Sequence, residues 1–303
     1  MKHAAAAPSL PACALPWPRR LRALLATLLL VCLSGCSSLR LGYDEGPRLA
    51  RWWLDRQFDF DPAQKPRVQA GVDEFFAWHR RSELMPIADL LGRIRASADG
   101  PLDGARVCGW QQEVQARLDA AFEHALPALA ELAPTLAPAQ LDRFERRLAE
   151  RLDDDRKNWL PASAAKRRER AFERALDRSE DLYGRLDRAQ RRWLDEAVAA
   201  LPSTPEQRLD DRARGNAVLL ATLRRIAAER PAPAETRALL RARWDDIANP
   251  ADPARAERRR NDLAANCALI AALHDRATPA QRRAAADRLA GWELDARELA
   301  RSR

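Results

Sequence analysis

An all-α fold is what this chain predicts, and three observations predict it. No stretch sustains the period-two alternation of β-branched residues that a half-buried strand needs. Apolar residues recur instead at helical spacing, as in Leu141, Phe144, Leu148 and Leu152, or Leu289, Trp292, Ala296 and Leu299. A short helix-start signal also returns along the chain: Asp61-Pro-Ala-Gln64, Thr204-Pro-Glu-Gln207 and Thr278-Pro-Ala-Gln281, with Ala137-Pro-Ala-Gln140 and Asp187-Arg-Ala-Gln190 as weaker versions. Asp or Thr at the N-cap accepts an orphan backbone N–H, Pro at the first helical position loses no bond, and Gln three residues on reaches back to the cap. Ala137 has no side-chain acceptor, so its copy is degraded. With breaks near Pro86, Gly100, Pro161, Pro202, Pro231 and Pro250, these starts give an irregular bundle of roughly nine or ten helices, too unevenly spaced for a solenoid.

Before the bundle, residues 1–35 read as a targeting segment. Arg19, Arg20 and Arg22 precede the apolar run Leu21 to Leu33, which is too short to span a bilayer comfortably. Leu33-Ser34-Gly35-Cys36 then resembles the lipobox of bacterial lipoprotein precursors. The resemblance implies cleavage after Gly35, acylation of Cys36, and, with Ser37 rather than aspartate following, delivery to the outer membrane. Residues 36–47 are expected to form a short lipidated tether, and 48–303 a single helical domain, with a division into two lobes near residue 161 as one option.

Charge and cysteines narrow the class further. The net charge of +8 falls to +4 once Lys2, Arg19, Arg20 and Arg22 leave with the targeting segment. Nucleic acid is therefore not an expected partner. Cys13 and Cys32 leave as well, and the lipid takes Cys36, so Cys108 and Cys267 remain as a pair in a compartment that permits disulfides. Either they are bridged or they are two separate buried thiols.

A wider resemblance covers essentially the whole chain after Cys36. Cys36-Ser-Ser-Leu-Arg with Tyr43, Arg51-Trp-Trp-Leu-Asp55, the Asp61/Gln64 start, Trp78-His-Arg-Arg-Ser-Glu-Leu84 and the Gln140 and Gln281 starts are similar to a proteobacterial lipoprotein family that carries only a domain-of-unknown-function label. The family implies an envelope location and a helical fold, and no activity. Leu136-Ala-Pro-Ala-Gln140 and Leu186-Asp-Arg-Ala-Gln190 also resemble the Leu-Thr-x-x-Gln motif of Spy-type periplasmic chaperones, from which this chain departs in length and lipid anchor.

Two stretches are candidates for chemistry or binding. In the helix begun at Asp61, Val68, Val72, Phe75, Phe76 and His79 form one stripe, continued by Glu83 a turn later, with Trp78 and Arg80 alongside. His79 and Glu83 suit either a carboxylate–imidazole pair for acid–base work or a buried pair that fixes helix packing, with Arg80 or Arg81 as counter-charge. His124 and His274 each stand alone, His274 reading as a C-terminal cap, so no metal set forms and no cofactor is expected. Trp52 and Trp53, with Asp55, suit either an interfacial belt beside the lipid or a first helix folded onto the body. Asp153-Asp-Asp155 reads as a solvated face.

No nucleophile elbow, phosphate loop, His-Glu-x-x-His or Cys-x-x-Cys occurs. The expected protein is therefore a binding module of the envelope and not an enzyme. It is held in the outer membrane by its lipid, with envelope proteins or unfolded clients as partners. A hydrolase using His79 and Glu83 is the alternative.

Overall fold

A computed structural model describes residues 38–160 and 163–302, so Leu33, Ser34, Gly35 and Cys36 lie outside the described residues. Among those described there are helices and no strands. In chain order they are α1 (Ser38–Asp44), α2 (Gly46–Phe58), α3 (Gln64–Ser82), α4 (Leu84–Ala96), α5 (Gly104–Leu132), α6 (Pro138–Trp159), α7 (Ala164–Tyr183), α8 (Arg188–Ala199), α9 (Pro205–Glu229), α10 (Pro233–Ala248), α11 (Pro253–Asp275) and α12 (Pro279–Arg301).

Twelve exceeds the expected nine or ten in part because the stretch read as a tether contains α1. The break expected near Pro86 falls at Glu83, between α3 and α4. Neither boundary has a strong cap. The Glu83 side chain accepts no capping bond at the start of α4, although its carbonyl accepts from Ile87 N at 2.9 Å.

The buried residues gather in two apolar cores and a smaller third cluster. The first gathers Phe60, Val68, Leu126, Ala130, Leu136, Leu141, Phe144, Leu220, Leu223, Ile226 and Leu240 from α3, α5, α6, α9, α10 and the loops between. A second joins Tyr183, Leu186, Leu194, Leu273, Ala277 and Ala285 from α7, α8, α11 and α12. The cores are interleaved in sequence: α9 and α10, beyond residue 161, return to the first. At about 1.5 Å per residue the 29-residue α5 is about 43 Å long. Its far end carries Leu126 and Ala130 into the first core. Its near end places Val107 in a third cluster with Leu102, Cys267 and Ala271. There Cys108 and Cys267 are joined by a disulfide with Cα atoms 5.5 Å apart.

The recurring helix starts do more than cap. Asp61, Asp187, Thr204 and Thr278 accept from the backbone N–H of their glutamines, and each glutamine Oε1 accepts from the cap N–H. Ala137 keeps only the second half, from its own N–H to Gln140. In four of the five copies the amide Nε2 then crosses to another copy. Gln64 and Gln140 exchange bonds of 3.1 and 2.7 Å, and Gln190 and Gln281 bonds of 2.7 and 3.0 Å. Each also donates to the backbone oxygen five residues ahead of its partner: Gln64 to Thr135, Gln140 to Asp59, Gln190 to Arg276 and Gln281 to Arg185. The same reciprocal device thus pins a pair of helix starts in each core. Buried Phe60, Leu136, Leu186 and Ala277 stand four residues before the four glutamines.

Candidate functional site

The block Trp78-His79-Arg80 sits in the last turns of α3, where successive side chains point about 100° apart. Three neighbours in sequence therefore reach three different elements. Trp78 stacks on His124 of α5, with ring centroids 4.3 Å apart and planes within 9°. His79 Nδ1 lies 2.9 Å from Tyr43 Oη in α1. The Arg80 guanidinium stands 5.1 Å over the Tyr43 ring, meets Asp44 Oδ1 at 2.8 Å, and donates to Leu299 O at 3.0 Å near the end of α12.

The block is a clamp on the N-terminal helix. Tyr43 also meets Phe76 edge-on at 5.7 Å, and Arg40, further along α1, ion-pairs with Asp295 and Glu298 of α12. Gly46, at the start of α2, lies so close to the Phe76 ring that a Cβ there would approach a ring carbon to 2.5 Å. Alanine at that position would require the Phe76 ring or the start of α2 to shift. The segment 38–47 is thus a docked helix and turn, not a free tether, because α1 supplies Tyr43, Asp44 and Arg40 to partners already fixed by the body.

His79 and Glu83 do not form the expected hydrogen-bonded pair. Glu83 is 4% exposed and its Oε2 meets Arg117 of α5 at 3.5 Å, while the imidazole turns to Tyr43. A carboxylate aimed at another helix cannot orient the imidazole for acid–base work. Burial lowers the His79 pKa below its usual value, with the nearby Glu83 charge partly opposing it. Burial likewise raises that of the Tyr43 phenol.

The sign of the pH effect follows. Folding disfavours the His79 imidazolium, so the unfolded chain binds more protons below about pH 6.5. The neutral ring's contribution is complete above that pH and is lost as pH falls towards the folded pKa. Urea midpoints are expected to drop between pH 7.5 and 5.0, and His79→Gln, which keeps a polar partner for Tyr43, to flatten part of that slope. An unchanged slope in the variant would place the titration elsewhere.

The other histidines correct their expected isolation. His124 stacks on Trp78 and lies 3.7 Å from Glu74. His274 caps nothing of its own: it is buried, with Nδ1 3.0 Å from Tyr183 Oη and Nε2 3.1 Å from Gly100 O. A carbonyl can only accept, so Nε2 carries a proton, and Tyr183, its pKa pushed up to about 12 by burial, is a phenol that can donate to Nδ1. Among the described residues no group of three or more His, Cys, Asp or Glu is placed to hold a metal ion. The Asp153–Asp155 run is a solvated face, paired with Arg156, Lys157 and Arg212 in turn.

The tryptophans of α2 sit on a helix that is folded onto the body, where Leu54 and Phe58 pack on the first core. Trp52 and Trp53 nevertheless stay 59% and 45% exposed, under the guanidinium groups of Arg56 and Arg151. With Leu49 they form an exposed stripe at positions i, i+3 and i+4. Asp55 is structural: it accepts from Phe60 N at 3.1 Å and so closes the turn in which Asp59 takes a left-handed conformation.

What sequence reasoning missed is the pairing of the amides and of Tyr43 with His79. The apolar residue repeated four positions before each paired glutamine was the available signal. No curated protein and no solved structure matches the chain. A family model does match, over residues 56–240, from the end of α2 into α10 and short of Cys267 and Gln281. The chain belongs to that family, a family of unknown function (DUF6279).

Proposed function

We propose that this is a lipoprotein of the outer membrane, anchored through Cys36, whose helical body faces the periplasm and works by binding, as a scaffold or chaperone-like module. The observation that carries the reading is the exposed stripe Leu49, Trp52 and Trp53 on the helix next to the clamped α1, 13 to 17 residues after the lipobox cysteine. Tryptophan beside arginine suits the membrane–water boundary, where the ring is apolar and the edge is wet. A short, docked connection between Cys36 and this stripe would hold it at headgroup level. The Cys108–Cys267 bridge supports an oxidising compartment.

No described helix is long and apolar enough to cross a membrane, so on this reading the acyl chains do the anchoring. The hydrolase alternative finds no support in the geometry, since Tyr43 holds His79 and Arg117 holds Glu83.

Cys36→Ala is expected to abolish palmitate labelling and release the chain from outer-membrane fractions. A variant that still labels and still fractionates there overturns the anchoring. For the chaperone version, the purified protein should suppress aggregation of a denatured client at near-stoichiometric ratio, and absence of suppression removes that version.

A further inference from the structure

Between α7, the end of α8, the start of α9 and α11 runs a groove of about 360 Å³, within the range of about 300–1,000 Å³ typical of small-ligand sites. Leu182, Val198, Leu201, Leu269 and Leu273 make its floor. Arg174, Arg178 and Arg208 stand on its rim. Among the described residues none of these three arginines forms an ion pair, and Arg208 makes one hydrogen bond, to Ser203 O.

The neighbouring groove, of about 720 Å³, shares Arg208 and Asn266 and is also rich in arginine, but there four of the six lining arginines have carboxylate partners. Arg212 pairs with Asp155, Arg243 with Asp246, Arg255 with Asp246 and Asp211, and Arg258 with Asp211. The smaller groove differs in having no acidic residue in its lining, so none of its arginines is neutralised there. Like charges gathered at a partly desolvated edge are unfavourable until an anion joins them. Burial and then the neighbouring Arg208, Arg178 and Arg170 charges lower the Arg174 pKa, which fits that picture.

We infer that this groove binds a single-chain amphiphile with an anionic headgroup, the chain lying on the leucine floor and the headgroup bridging Arg174, Arg178 and Arg208. Guanidinium forks match phosphate and carboxylate oxygens, and each methylene laid on the floor adds apolar burial. Both halves of the ligand are needed, because the floor alone selects no headgroup and the rim alone is exposed to competing salt.

The test titrates the full chain with dodecyl phosphate below its micelle concentration, with dodecanol and inorganic phosphate as the chain-only and headgroup-only controls. Dodecyl phosphate is expected to bind one-to-one, at least about tenfold more tightly than either control. Arg174→Gln/Arg178→Gln/Arg208→Gln is expected to weaken it by about tenfold or more while leaving the circular dichroism unchanged and the urea midpoint no lower, since these side chains make no ion pair to lose and their mutual repulsion is relieved. Equal binding of inorganic phosphate would make the rim a plain anion site, and equal binding of dodecanol a plain apolar one; either overturns the proposal. So does full affinity in the folded triple variant, or no binding at all.

Discussion

Replacing Cys108 and Cys267 together by alanine is expected to lower the unfolding free energy by about 2–5 kcal/mol. The bridge joins residues 159 apart in sequence, so in the unfolded chain it closes a very long loop and removes much conformational freedom. In the folded state it ties the start of α5 to the middle of α11, two helices that already pack through Val107, Leu102 and Ala271. Its Cα separation of 5.5 Å is ordinary for a disulfide. Urea unfolding should be compared for the oxidised protein, the same protein in dithiothreitol, and the alanine pair. Reduced wild type isolates the covalent effect, because it keeps both sulfur atoms in the cluster. If oxidised and reduced wild type unfold at the same urea concentration, the bridge does not stabilise the fold.

A second large effect is expected at Gln140, and its size depends on context more than on sequence. Gln140→Leu should cost about 2–4 kcal/mol, because the N–H of Ala137, the carbonyl of Asp59 and part of the Gln64 amide lose partners inside the first core. Gln207→Leu, in the better-looking Thr204 copy, should cost only about 0.5–1 kcal/mol, the value of half a capping box at the surface. Adding Gln64→Leu to Gln140→Leu should cost less than the two single losses combined, since both report on one shared network. Equal effects at positions 140 and 207 would mean that the cross-pairing contributes nothing. The comparison is clean because both motifs are Pro-x-Gln helix starts and differ chiefly in what the amide meets.

The helical class was legible because it rests on local rules. Proline at the first helical position, a capping side chain and apolar residues at helical spacing each act within a few residues, and the observed starts at Pro138, Arg188, Pro205 and Pro279 follow them. The stripe of α3 was legible for the same reason as far as Val68 and Val72, which join the first core.

Legibility ended where a side chain had more than one possible partner. His79 and Glu83 are one turn apart, which is all that spacing can say. Their bonds went to Tyr43 and Arg117 because α1 brings a phenol to His79 and α5 a guanidinium to Glu83. Trp292 illustrates the same limit: it falls on the periodic stripe of α12, yet it is partly exposed beside Leu39, because α1 covers only part of that face.

By itself, then, the sequence determined that the chain is helical and where most of its helices begin, since each of these is a statement about neighbours along the chain. Only the tertiary structure decided that four capping glutamines meet in two reciprocal pairs, that the Trp-His-Arg block clamps the first helix, and that three arginines gather unpaired over a leucine floor. Those depend on which helices pack together, a choice made by burial of the whole apolar surface that no local spacing encodes.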